Sequence, residues 1–204
     1  MCKKLKISNY YIVYGNNRIK ESKIINKMMI IKSPDNYISL PIKMTELYKF
    51  IQKINKKMNV IKIDDDVILY RNIEKLYNKK YDYQGFALVD SLTQLGNYHL
   101  YKNNVKDKVF NIKKWNDKYT KVGRVIYAAG GTTYYLSAKG LTKIVNVLRK
   151  LDKSAVKNHR FEDLIIGTLM KKVRISCKVP KHIEYLHPNV YYKNKKILTT
   201  DVYY

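Results

Sequence analysis

The order of apolar and polar positions gives the first third of the chain a clear punctuation. "YYIVYG" (10–15) is a β-branched and aromatic run closed by a glycine and followed by the turn-forming "NNR"; it reads as a buried strand ending at Gly15. "KMMIIKS" (27–33) reads as a second strand, stopped by Pro34. The period then changes. From Ser39 onward, Leu47, Phe50, Ile51 and Ile54 fall at i, i+3, i+4 and i+7, the apolar stripe of an amphipathic helix, and Pro41 suits its first turn. "VIKI" (60–63) returns to the strand pattern. Strand, strand, helix, strand is the order of an α/β fold with a largely parallel sheet.

The second part is less regular. "VILYRNIEKLY" (67–77) fits a short strand or the start of a helix, "YQGFALV" (83–89) a strand, and 94–124 a polar, irregular stretch with room for a hairpin. "VIYAAGGTTYYLS" (125–137) is apolar and carries glycines. Ser137 suits a helix N-cap, and Leu141, Ile144, Val145, Leu148 and Leu151 follow at helical spacing. "FEDLIIGTLMKKV" (161–173) reads as a shorter helix opening with two acids, which the positive end of a helix dipole favours. There is no internal repeat and no linker rich in Pro, Gly or Ser, so the 204 residues read as one domain.

Composition changes that picture in one respect. Hydrophobic residues make up 46%, enough for a sizeable core, but 41 Lys and Arg stand against 16 Asp and Glu, a formal charge of +25. Such a balance fits a polyanionic partner, such as nucleic acid, an anionic membrane or an acidic glycan, or a phosphate-bearing small molecule. It equally fits the drift toward Lys, Ile, Asn and Tyr of an AT-rich gene. The basic residues are spread along the chain, and no helix-turn-helix, zinc-finger or RNP-like signature gathers them. No apolar run reaches the roughly 18 residues a membrane-spanning helix needs. The basic N-terminus is followed by a stretch too short and too polar for a secretion signal. Cys2 and Cys177 make neither a disulfide framework nor a zinc site. The expected location is cytoplasmic.

Against that positive charge, three of the scarce acids stand side by side in "VIKIDDDVILY" (60–70). Carboxylates at a strand end repel one another unless they are solvated or share a cation, and their oxygens suit Mg²⁺ or Mn²⁺. Asp64 and Asp66 alternate, so both can face one cleft beyond the carboxyl end of the strand, where open α/β sheets bind ligands. A solvated turn with helix-capping acids is the plain alternative. An EF-hand is excluded, because no glycine or distal glutamate follows at the required spacing.

"IKIDDDV", "GGTTYYLS" (130–137) and "EDLIIG" (162–167) form an ordered set that resembles the inverting β-1,3-glycosyltransferases, the family of the β-1,3-galactosyltransferases and Fringe. The first family motif, approximately D-x-Y-x-N-L-T-x-K-T, is matched by "DNYISLPIKM" at Asp35, Tyr37, Leu40 and Lys43, with departures at Ser39, Pro41 and Met44. The aspartate triplet matches fully. The third motif matches at Gly131, Tyr134, Leu136 and Ser137; Thr133 replaces a glycine, and Tyr127 lies one residue upstream of the expected tyrosine. The fourth matches at Glu162, Asp163 and Gly167. "ESKIINKMMI" (21–30) is similar to a further family segment, with Lys27 in place of an aspartate, and Trp115 and Tyr119 fall where the family often has K-W-x-x-x-x-x-Y, with three residues between them in place of five. The resemblance covers roughly residues 10 to 170. The animal enzymes it points to carry a membrane anchor, a stem and disulfides; the likeness in build is to the compact domains of some viral glycosyltransferases, for which a host cytoplasm is the expected site.

The resemblance implies a GT-A fold, with a nucleotide-sugar-binding half over about 1–90 and an acceptor-binding half over about 91–204 around one mostly parallel sheet. It implies a nucleotide-sugar donor, UDP-linked, a glycan or glycoprotein acceptor, and Mn²⁺ or Mg²⁺ between the donor diphosphate and the triplet. Asp66 is the implied direct metal ligand, with Asp64 beside it and His187, rather than His182, completing the site. Asp64 and Asp65 would also meet ribose, sugar or metal-bound water. Asp163 is the implied general base for the acceptor hydroxyl; Glu162 would orient the acceptor or stand in as base. Gly130 and Gly131 would let backbone approach the sugar, and Lys43 and Arg18 would meet phosphate or nucleotide. Tyr134 and Trp115 fit either a sugar face or the core. Three other readings stay open at this point: a basic nucleic-acid-binding protein, which leaves "DDD" and "FED" unexplained; a metal-dependent phosphotransferase or nuclease, which needs more converging acids; and a transferase that binds without turnover.

Overall fold

A computed structural model describes residues 9–64, 68–69, 77–85, 88–91, 112–129 and 133–180, with the short strand pieces 185–186, 192–193 and 196–197. The chain opens with three strands, β1 (Ile12–Gly15), β2 (Lys23–Ile25) and β3 (Met28–Ile31), in the sheet order β1-β3-β2. The sequence reading missed β2. It pairs back on β3 through a tight turn in which Asn26 takes a φ of 55°, a left-handed conformation that asparagine tolerates. β1 ends at Gly15 as expected, but it is not buried: Ile12 is 50% and Tyr14 45% exposed. It is an edge strand, and of its residues Val13 packs on the core while Met29 and Ile31 of β3 are fully inside.

A single 3₁₀ turn, Tyr37–Ser39, capped by the Asn36 side chain, leads into helix α1 (Leu40–Ile54), with Pro41 in its first turn. The buried face runs through Met44, Leu47, Tyr48 and Ile51, while Ile54 is 42% exposed. The stripe is therefore turned toward Tyr48, which proves important below. β4 (Val60–Ile63) and β5 (Ile68–Leu69) flank the aspartate triplet. β6 (Tyr83–Gly85) and β7 (Leu88–Asp90) divide the single strand expected over 83–89.

Helix α2 (Ile112–Tyr119) lies in the stretch read as irregular. Its polar composition hides one aromatic pair at i, i+4: the Trp115 and Tyr119 rings are 5.5 Å apart. The Trp115 indole donates to the Ala155 carbonyl at 2.9 Å and meets the His159 ring edge-on at 4.5 Å. Trp115 is thus a core residue. Burial, then the neighbouring Arg160, pushes His159 down to about 3, so it is a neutral packing histidine.

β8 (Ile126–Ala128) and β9 (Thr133–Leu136) follow, then α3 (Ala138–Leu148), α4 (Lys153–Lys157) and α5 (Glu162–Lys172). Ser137 is the N-cap expected of it, its hydroxyl accepting from the Gly140 N–H at 2.9 Å. Leu141, Ile144, Val145 and Leu148 are buried, and α3 packs on α1 and α5. Among the described residues no helix is long and apolar enough to cross a membrane.

The largely parallel sheet is not what the described strands form. β4-β9-β6 and β7-β8 are separate antiparallel sheets, and among the named pairings β1–β3 alone is parallel. β9, which arrives from the second part of the chain, lies between β4 and β6 and runs against both.

Helix α5 lies against β8 with no room to spare. A Cβ built on Gly167 would stand 2.2 Å from Tyr127 Cβ. Gly167→Ala should therefore push α5 off β8 and cost about 1–3 kcal/mol of stability by overpacking, whereas Lys143→Ala, on the exposed face of α3, should stay within about 0.5 kcal/mol of wild type. Urea unfolding of the two variants checks this.

Candidate active site

The pairing of β4 with β9 sets Lys62 directly across from Tyr134. Because side chains alternate along a strand, Lys62 and Asp64 leave β4 on the same side. The Lys62 ammonium makes an ion pair with Asp64 Oδ1 and lies 3.2 Å from Glu162 Oε1, at the first residue of α5. Its side chain is only 9% exposed and that of Glu162 4%; Asp64, at 32%, faces the edge of the cluster. The Lys62 ammonium also stands 5.8 Å from the centre of the Tyr134 ring.

Glu162 is held from its other side. The Tyr134 hydroxyl donates to Glu162 Oε2 at 3.0 Å, and it shares a short hydrogen bond with the Tyr48 hydroxyl of α1. The backbone of β4 is fixed as well: Thr133 Oγ1 donates to the Lys62 carbonyl at 2.6 Å and lies 3.0 Å from the Tyr77 hydroxyl. The cluster joins β4, β9, α1 and α5. It draws residues from the second, third and fourth motifs, and Tyr48 comes from the helix that the first motif opens.

The electrostatics favour one protonation pattern. Burial opposes the charged Lys62 ammonium, but Glu162 and Asp64 outweigh it and hold its pKa above the ordinary value. Burial also raises Glu162, which Lys62 only partly offsets and which the neighbouring Asp163 reinforces. One ammonium thus serves two carboxylates, and the buried one, Glu162, holds its proton above the ordinary carboxylate range. Burial, then the Glu162 carboxylate, keeps the Tyr48 and Tyr134 hydroxyls well above their ordinary range, so both remain neutral donors.

The other candidate residues fall in three groups. Asp163 follows Glu162 in the first turn of α5 and is half-buried; the Leu164 N–H donates to its Oδ1 at 2.7 Å. Lys43 does not stand alone: it is ion-paired with Asp35 Oδ1 at 2.6 Å, which closes the first motif on itself. Arg18 is exposed on the turn after β1. Asp65, Asp66, Gly130, Gly131 and His187 lie outside the described residues. Among the described residues no three of His, Cys, Asp and Glu converge as a metal site. Tyr134 is wholly buried and is no sugar-stacking platform.

Sequence reasoning missed Lys62 and Tyr48. A signal for Lys62 was present: a lysine inside an apolar strand, two residues before an aspartate and therefore on its face. Tyr48 gave less warning, being one more apolar position on α1.

A family model described as Galactosyltransferase matches residues 16–181. The chain belongs to the galactosyltransferase family. The match spans all four motifs and every residue of the cluster, and it bears out the resemblance to the β-1,3-glycosyltransferases. No curated protein matches the chain. The galactosyltransferase domain is therefore a mixed α/β glycosyltransferase domain whose described strands form small sheets.

Removing the ammonium leaves two carboxylates facing each other. Lys62→Met should cost about 3 kcal/mol at neutral pH, the low end for a broken buried pair, because Asp64 is partly solvated. The loss should depend on pH. Glu162 in the folded variant holds its proton above the ordinary 4.5 even more strongly than in wild type. The folded variant then binds more protons than the unfolded chain, and its stability falls as pH rises. The gap to wild type should be small near pH 4.5 and widen toward neutrality, as urea midpoints across that range would report.

Proposed function

We propose that this galactosyltransferase-family domain is a metal-dependent inverting glycosyltransferase, moving a sugar from a UDP-linked donor to a hydroxyl of a glycan or protein-linked glycan. The observation that carries the reading is the ionic link from the aspartate turn, through Lys62, to the acid-bearing first turn of α5. It ties the segment that suits a donor diphosphate to the segment that suits an acceptor.

An inverting transfer is one in-line displacement at the anomeric carbon. The acceptor hydroxyl is a weak nucleophile and needs a carboxylate to take its proton as the new bond forms. Asp163 fills that role in this reading. Glu162 suits it poorly, being buried and engaged by Lys62 and Tyr134; it serves as support for the turn that carries Asp163. The N-terminus of α5 holds Asp163 in place and favours its negative charge.

The triplet offers oxygen ligands alone, which suits a hard divalent cation. Asp66 is the proposed ligand, with His187 as a further one, and Mn²⁺ or Mg²⁺ bound there would neutralise charge on the departing diphosphate. Asp65 would meet the donor ribose or sugar, Gly130 and Gly131 would give the backbone room beside it, and Lys43 and Arg18 remain proposed contacts for the nucleotide. The GT-A division into donor and acceptor halves and a cytoplasmic location belong to the same reading.

Calorimetry and UDP release separate the roles. Asp66→Ala should abolish metal-dependent UDP binding. Asp163→Asn should keep that binding and slow transfer by about 10²–10⁴-fold. Wild-type transfer by either variant would remove the reading.

A further inference from the structure

Lys62 has no catalytic role in that mechanism, yet its buried ammonium pairs with acids on two elements of the site. Its side chain is 9% exposed, and it touches one carboxylate from the triplet turn and one from α5. A side chain that only offset charge would need one partner. Lys62 has two, on separate elements, and the far partner is fixed by Tyr134 and, behind it, Tyr48.

This bears on Asp64. Its Oδ1 is occupied by the ammonium. A divalent cation at the same carboxylate would sit beside Lys62, like charge against like charge, and would compete for the same oxygen lone pairs. The cation is better served by carboxylates that Lys62 does not already hold, and the triplet supplies two more.

We propose that Lys62 is a positioning residue for transfer. It claims Asp64 as a strut rather than leaving it to the metal, and by holding Asp64 and Glu162 together it sets the donor-binding turn at a fixed distance from the α5 turn that bears Asp163. The proposal rests on the glycosyltransferase reading for its catalytic consequence. The ionic strut itself does not.

The test uses the full chain and three variants, Lys62→Met, Lys62→Arg and Asp64→Asn. UDP is titrated with Mn²⁺, UDP release from UDP-galactose is followed at steady state, and urea unfolding is run without metal. Asp64→Asn and Lys62→Met should keep the UDP–Mn²⁺ Kd and the donor KM within about threefold while kcat falls about tenfold or more, the signature of lost alignment rather than lost binding. Lys62→Arg, which keeps the charge, should restore most of kcat. The metal-free urea midpoint of Asp64→Asn should fall by about 0.5 M.

Loss of UDP–Mn²⁺ binding in Asp64→Asn would make Asp64 a ligand and overturn the proposal. So would a lowered midpoint with unchanged kcat, which would make the strut purely structural. If wild type binds no UDP with Mn²⁺, the glycosyltransferase reading fails, and the metal-free arm decides the strut: an unchanged Asp64→Asn midpoint overturns it, a lowered one supports it. Asp64 is a third exposed, so Asp64→Asn keeps the test open should Lys62→Met not fold.

Discussion

One buried ammonium organises this domain. Lys62 carries the charge that holds a buried carboxylate of α5 and a partly exposed one from the β4 turn together. Glu162 alone would be costly to bury as an anion. Paired with Lys62, and with Tyr134 and Tyr48 donating behind them, the two acids bind together the four elements that surround the site. Such networks are demanding, because a half-satisfied one is worse than none. Here the tyrosines stay protonated through burial and the Glu162 charge, so they remain donors at any pH the protein would meet.

The packing around the network explains motif residues that carry no chemistry. Gly167 is small because α5 must approach Tyr127 of β8 closely. Tyr134 lies across from Lys62 because β9 runs against β4 in that register. Ser137 caps α3 and starts the helix that presses on both α1 and α5. Asp35 and Lys43, ion-paired, close the approach to α1, the helix that supplies Tyr48. A family signature spread over some 130 residues of sequence is, in space, one polar knot and its supports.

Local patterns were legible where one neighbour decides the outcome. α1, α3 and α5, the Ser137 cap, the end of β1 at Gly15 and the strand "VIKI" all follow from periodicity and capping. So did the ordered acids of the second and fourth motifs. What failed depended on partners distant in sequence. The described strands form small, mostly antiparallel sheets, β9 running against β4 and β6, and nothing in "VIKI" announces that partner. α2 was hidden because its one packed face is the pair Trp115 and Tyr119 within a polar stretch. Ile12 and Tyr14 look like core and stand at an edge. For Lys62 the alternation that puts it on the face of Asp64 was legible, but only the third dimension brings Glu162 to it.

The central claim is that Lys62 and Glu162 act as one unit. A double-mutant cycle in urea unfolding, with Lys62→Met, Glu162→Gln and both together, measures that directly. The account requires the double variant to be more stable than the sum of the single losses, with a coupling of about 1 kcal/mol or more, as for groups within one buried network. Strict additivity would mean that the two charges stabilise the fold independently, and the account would be wrong.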